Sequence, residues 1–218
     1  MGAGTTVVLG AGAVGTATAW YLLKAGHRVE VVERQPSAGL ETSWGNGGVI
    51  HASEVEPWSQ PGMPRKILGW LGKENAPLLL RYGAIPHMWR WGLAFAANCT
   101  PERFRANTLA NLSLALHSLR SLQEIGAETG IAYDRAAKGV LKIYRSRDSL
   151  DVATRGCEFL AGHGLLFERL DGSGCVAHEP ALADVGTSLA GGLYFARDEV
   201  GDCNKFTQGL AAACTAVA

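Results

Sequence analysis

The sequence predicts an α/β fold in which a βαβ unit starts an incomplete parallel sheet and is followed by part of a mixed α+β layer. Three observations predict it. A β-branched run, Thr6-Val7-Val8-Leu9, stops at a glycine-rich turn, and an Ala- and Leu-rich helical pattern starts at Ala13. A second β-branched run, Arg28 to Glu33, then closes the unit. Helical and strand patterns alternate beyond it, without an internal repeat or a low-complexity linker.

Taken in order, Thr6 to Leu9 is the apolar run expected of a central parallel strand. Ala13 to Ala25 follows as a helix, with Gly26 placed for a left-handed C-terminal cap. Arg28 to Glu33 is the second strand. Ile85 to Ala97 carries Trp89, Trp91 and Phe95 at near-helical spacing, and core packing is the expectation for these rings and for Trp58 and Trp70. Arg103 to Gly130 reads as one long amphipathic helix whose stripe of Leu109, Leu112, Leu116, Leu119 and Leu122 belongs to the core. A strand from Gly139 to Tyr144, a helix near Leu150 to Gly162, and strands at Leu165 to Leu170 and Ser188 to Phe195 complete the mixed layer. Asn204 to Val217 is a last helix, which Asp202 or Cys203 caps.

Composition bounds the function. Of 218 residues 47% are hydrophobic and 18% charged, enough for one sizeable core. Twenty Lys and Arg balance twenty Asp and Glu, so no long-range field recruits nucleic acid or an acidic membrane surface. The five cysteines are scattered without metal-ligand spacing, which points to plain thiols in a reducing compartment and to no zinc site. Thr5 to Leu23 lacks charge, yet glycines interrupt it and no Lys or Arg precedes it; a strand, turn and helix account for it better than a membrane span, and a cytoplasmic location is expected.

The turn of the βαβ unit is Gly10-Ala11-Gly12-Ala13-Val14-Gly15. Gly10 permits the tight exit from the strand, Gly12 lets backbone approach a pyrophosphate, and Gly15 lets the helix pack close to the sheet. Unpaired N–H groups at the helix N-terminus favour the phosphate charge. Glu33 ends the second strand, where a carboxylate accepts from ribose hydroxyls and repels a 2′-phosphate; Arg34 beside it keeps NADP open. The unit is a Rossmann-like dinucleotide-binding fingerprint.

The following loop, Arg34 to Gly48, is long and rich in small residues, where a nicotinamide domain would continue with a helix and strand. Hydroxyls at Thr42 and Ser43, the Asn46 amide and near-bare backbone at Gly47 and Gly48 suit a second rail along an extended FAD. The expected cofactor-binding residues are therefore Val8, Leu9, Gly10, Ala11, Gly12, Ala13, Val14, Gly15, Glu33, Arg34, Thr42, Ser43, Asn46, Gly47 and Gly48.

The stretch Val7 to Trp20, Glu33-Arg34-Gln35-Pro36, Glu41-Thr42-Ser43 with Asn46 and Gly48, Pro57-Trp58, Asn98-Cys99-Thr100, Glu179-Pro180-Ala181-Leu182 and Gly201-Asp202-Cys203 resembles, in one order, the bacterial D-amino-acid dehydrogenase (small subunit) family. That family lies within the D-amino-acid oxidase-like FAD-dependent oxidoreductases. The resemblance implies oxidative deamination of a D-amino acid or related amine, with hydride passing from the α-carbon to flavin N5 and an imine left to hydrolyse. Sarcosine, glycine or proline-type oxidation, or a truncated nucleotide-binding protein without turnover, are the alternatives. It also implies an electron acceptor such as a respiratory quinone, with peripheral association to the inner face of the cell membrane; an aromatic surface in the Trp-rich segment would serve that. Family members run to roughly twice this length, so the expectation is an N-terminal half. Residues 1–56 would be the first part of the FAD domain, 57–198 a helical and mixed α+β substrate portion, and 199–218 a helix returning to the FAD domain before it is completed. No catalytic residue is assigned, and His51, just past the glycine loop, is expected to be a structural hydrogen-bonder near the flavin.

Overall fold

In the computed structural model, which describes residues 4–79 and 81–217, the predicted βαβ unit is formed by β1 (Thr5–Leu9), α1 (Ala13–Lys24) and β2 (Arg28–Val32). The two strands pair in parallel, with Thr5 opposite Arg28 and Leu9 opposite Val32. α1 ends where Gly26 turns left-handed at φ +82°. One face of this two-stranded sheet carries α1; on the other, Leu9 is 81% exposed and Val7 and Val32 stand about half exposed.

A two-residue strand β3 (Val49–Ile50) follows the glycine-rich loop, and α2 (Met63–Trp70) and α3 (Ile85–Ala97) come next. α4 (Pro101–Thr129) is the long helix that the leucine spacing predicts. Thr100 caps it by accepting from the Arg103 N–H, and Gly130 ends it in the left-handed region. β4 (Val140–Tyr144), α5 (Arg147–Ala161), β5 (Glu168–Leu170), α6 (Gly172–His178) and β6 (Gly191–Phe195) then build an antiparallel sheet in the order β4-β6-β5. β7 (Glu199–Val200) pairs antiparallel with β3, and α7 (Cys203–Val217) returns to pack along α1. Asp202 caps α7 as predicted, its carboxylate accepting from the Lys205 N–H at 2.9 Å.

Two apolar clusters hold these layers. Leu112, Leu150, Leu160, Leu193 and Phe195 join the front of α4 and α5 to the three-stranded sheet. Ala19, Trp20, Ile125, Phe206 and Leu210 bind α1, the far end of α4 and α7 together. The leucine stripe is core, as expected: Leu112 and Leu119 are buried, and Leu109, Leu116 and Leu122 pack against the clusters.

The tryptophans depart from the sequence reading. Trp58, Trp89 and Trp91 are 78%, 59% and 56% exposed rather than in the core. The physical reason is that α3 packs chiefly on the short turn Tyr82–Ala84 before it, so no second layer among the described residues buries its apolar face. Two strands are also shorter than their apolar runs, β5 starting at Glu168 and β6 at Gly191. The runs predict where side chains can be buried, whereas pairing stops where β6 ceases to have a partner.

Candidate functional site

The site begins at the N-terminus of α1. Gly10 takes φ +96°, which lets the chain leave β1 sharply, and its N–H donates to the Val32 carbonyl at 2.8 Å. Gly15 lies against this turn so closely that a methyl group there would overlap the Gly10 carbonyl oxygen. Gly12 is extended at φ −76° and ψ 179° and stands just ahead of the helix. Among the described residues, the Val14 and Gly15 N–H groups carry no hydrogen-bond partner, and Val14 is largely exposed. This leaves the positive end of the helix dipole open to an anion.

Two side chains predicted to meet the cofactor are already committed to this turn. The Glu33 carboxylate accepts from the Ala11 N–H at 2.6 Å and from the Gln35 N–H at 2.9 Å. The Ala11 N–H foremost, then the Gln35 N–H, hold its carboxyl below the usual range, so it stays ionised. Ser43 is buried, and its hydroxyl accepts from the Ala13 N–H at 3.0 Å. The loop after Glu33 is thus strapped across the helix start, and Gly39 adds a third tie through its N–H to the Ala11 carbonyl at 2.9 Å. Arg34 instead clasps Glu41 in a bidentate pair, at 2.8 and 3.0 Å. Hydrogen bonding to Arg34 holds the Glu41 carboxyl low. Thr42 is exposed, while Leu9 sits on the uncovered sheet face and Val8 packs under Gly15.

Ala13, Val14, Asn46, Gly47 and Gly48 come together in the wall of a cleft of about 1110 Å³ between α1, α4 and the 46–51 loop. Glu33 and Ala11 border a smaller cavity of about 350 Å³ beside α7. The predicted residues therefore bracket the α1 N-terminus. Asn46 shapes its own loop, its side-chain oxygen accepting from the Gly48 N–H at 2.9 Å. Gly48, at φ +60°, accepts from the Gly201 N–H at 2.8 Å. A side chain on Gly48 would strike the Gly201 carbonyl, and one on Gly201 would strike the Tyr133 ring.

His51 lines the same cleft, and among the described residues its Nδ1 is buried without a partner, as is the Tyr133 hydroxyl. Buried polar atoms are nearly always hydrogen-bonded, and these two stand unsatisfied among the described residues, as do Trp20 Nε1, Ser53 Oγ and Asp198 Oδ2. The expected role of His51 as a satisfied structural group is not met at Nδ1. Tyr133, Gly201 and Phe206 of the cleft were missed from the sequence. Of these only Gly201, beside the Asp202 cap, carried any signal. Asp198 and Glu199 separate in role. Asp198 is 1% exposed and accepts from the Ala52 N–H, whereas Glu199 is buried against Arg135 and Gln123. Arg135 grips it bidentately and holds its carboxyl low in spite of burial.

The family model described as FAD dependent oxidoreductase (DAO) matches residues 5–217. The chain belongs to this family. It is 50% identical over 211 residues to a D-amino acid dehydrogenase from Paramagnetospirillum magneticum, covering 96% of this chain and 50% of that protein. A D-amino acid dehydrogenase from Phenylobacterium zucineum is 46% identical, over 95% of this chain and 49% of its own length. The chain spans about half the length of the curated relatives it matches. Among solved structures, L-proline dehydrogenase from P. horikoshii superposes with a TM-score of 0.67 at 15% identity, over 97% of this chain and 41% of the other. Glycine oxidase from Geobacillus kaustophilus gives 0.58 at 20% identity, over 97% and 44%. These two establish the fold. Among the described residues, no helix is long and apolar enough to cross a membrane, and Thr5 to Leu23 is the strand and helix that its glycines suggest.

Proposed function

We propose that this chain builds the ADP-facing part of an FAD site in an enzyme that dehydrogenates D-amino acids. The observation that carries the reading is the identity of 45–50% across most of the chain to several proteins named D-amino acid dehydrogenase. The geometry supports the cofactor. The open N–H groups of Val14 and Gly15 would take the pyrophosphate, with Gly12 bare beside them. Glu33, kept ionised by two backbone donors, retains lone pairs for ribose hydroxyls. Asn46, Gly47 and Gly48 would run along the flavin end in the large cleft, where the His51 Nδ1 and the Tyr133 hydroxyl offer polar partners. Arg34 is tied to Glu41, which removes the cation that a 2′-phosphate would need and favours FAD over NADP.

Bound flavin would supply the hydride acceptor for the substrate α-hydrogen. The chain's own residues hold, orient and partly enclose it; the α4 wall, with Leu114, Leu122 and Ile125, keeps water from one side. A quinone would be the electron acceptor, with the protein in the cytoplasm, peripheral on the inner face of the cell membrane. The exposed aromatic segment at 57–98 supports that placement.

The test is a visible spectrum of the purified chain after incubation with FAD, followed by dye reduction with D-alanine, L-proline and sarcosine. A bound-flavin spectrum with reduction by D-alanine is expected. Absence of flavin uptake sinks the cofactor assignment, and reduction by L-proline or sarcosine in preference to D-alanine sinks the substrate class.

A further inference from the structure

Asp198 and Glu199 are neighbouring acids, both buried, and only one of them is compensated. Glu199 meets Arg135 and Gln123. Asp198 is 1% exposed, and among the described residues no Lys, Arg or His lies within ion-pair distance of it. Its Oδ1 accepts from the Ala52 N–H at 3.0 Å, and its Oδ2 has no partner among those residues. Burying a carboxylate without a counter-ion is costly, so stability alone gives no reason to keep one. Groups that break a packing rule in this way belong to places where a site must be held.

The bond that Asp198 makes lands on a short segment that other elements also grip. Val49 and Ile50 pair with Val200 and Glu199 across β3 and β7. Lys142 of β4 donates to the Ser53 carbonyl at 2.8 Å and pairs with Glu54 at 2.5 Å. Asn111 of α4 donates its side-chain N–H to the Val55 carbonyl at 2.9 Å. Ala52 and Val55 are themselves buried in the cluster of Leu112, Leu193 and Phe195. Connecting segments ordinarily leave their backbone groups to water. Here side chains 56, 89 and 146 positions away take them. The segment carries His51, which lines the large cleft and directly precedes the Ala52 N–H that Asp198 holds.

We propose that Asp198 is a positioning residue: with Lys142 and Asn111 it fixes the 51–55 segment and so sets how His51 enters the cleft. The peptide between His51 and Ala52 is held by its N–H, and a charged acceptor makes that bond about twice as strong as a neutral one. Groups that face a ligand keep their geometry only when a surrounding shell locks them, and these three side chains supply that shell from three elements. The flavin arm of the test rests on the reading above. The imidazole arm needs neither flavin nor turnover, so the two fail separately.

The imidazole resonances of the full chain are recorded by NMR, His51 being identified among the six histidines by its loss in His51→Gln. Asp198→Ala is expected to shift or broaden the His51 signal. Asp198→Asn keeps an acceptor for the Ala52 N–H and is expected to return the signal close to its wild-type position. With FAD added, Asp198→Ala lowers affinity about tenfold and Asp198→Asn by no more than about threefold. In a His51→Gln background the Asp198→Ala loss shrinks to about twofold, because the effect runs through His51. Lys142→Met and Asn111→Ala release the outlying grips from less buried positions, each with a smaller shift of the same signal, and they carry the test if Asp198→Ala does not fold. A His51 signal that none of these variants moves overturns the proposal, as does an Asp198→Asn variant no better than the alanine. A lowered melting temperature with the His51 signal and FAD affinity both unchanged assigns Asp198 to the fold alone and overturns it equally.

Discussion

Gly12→Ala separates what the glycine turn does for the fold from what it does for a ligand. Gly12 has φ −76° and ψ 179°, a conformation open to alanine without strain. A methyl group built there meets only the Ser43 hydroxyl within 4 Å, at 3.4 Å, an ordinary contact. Stability is therefore expected to hold or to rise by up to about 1 kcal/mol, through reduced freedom of the unfolded chain. The effect on a pyrophosphate differs, because Gly12 immediately precedes the helix start with the free Val14 and Gly15 N–H groups, where added bulk would hold an anion off. Loss of one hydrogen bond to a charged group costs about 1.5–3 kcal/mol, which is about tenfold to a hundredfold in FAD affinity. Flavin fluorescence titration measures the affinity, and thermal melting of the unliganded chain measures the fold. Wild-type affinity in Gly12→Ala refutes the assignment of the pyrophosphate to this turn. A melting temperature lower by more than about 4 °C refutes the claim that Gly12 is there for the ligand and not for packing.

Gly15→Ala gives the complementary outcome, since its methyl would collide with the Gly10 carbonyl; a loss of about 1–3 kcal/mol in urea unfolding is expected, and an unchanged midpoint contradicts the close α1–β1 packing. Arg135→Ala strands the buried Glu199 carboxylate and is expected to cost about 2–5 kcal/mol, with Glu199→Gln milder; equal costs in the two variants would show that the ion pair is not what matters. Glu199 also sets a pH dependence. Its folded pKa lies below its unfolded one, so its contribution is present above the ordinary glutamate value of about 4.3 and disappears as pH falls through the folded value. Glu199→Gln is expected to flatten the acid limb of stability against pH, and an unaltered limb would place the titrating group elsewhere.

The legible parts of the fold were those whose causes are local. The α1 helix, its left-handed stop at Gly26, the cap at Asp202 and the leucine stripe of α4 each depend on residues a few positions apart, and all stand where the sequence places them. α2 and α6 were not predicted; Gly62, Pro64, Gly172 and Gly174 are weak helix formers, although Pro is tolerated in a first helical turn and the Asp171 carboxylate caps the Gly174 N–H. The site divides in the same way. Gly10, Gly12, Gly15 and Glu33 are a short-range pattern, whereas His51, Tyr133 and Gly201 share a cleft only because β3 pairs with β7 and α7 folds back on α1.

By itself the sequence determined the βαβ turn, the acidic end of its second strand and the periodicity of each long helix, because strand alternation, glycine conformations and capping are properties of neighbouring residues. Tertiary structure alone decided which apolar faces are covered. Trp20 is buried because α7 lies against it, while Trp89 and Trp91 are exposed because, among the described residues, α3 packs chiefly on the turn before it. It also turned Glu33 and Ser43 inward onto the backbone of the turn, since unpaired N–H groups at a helix start draw whichever acceptors the fold brings within reach.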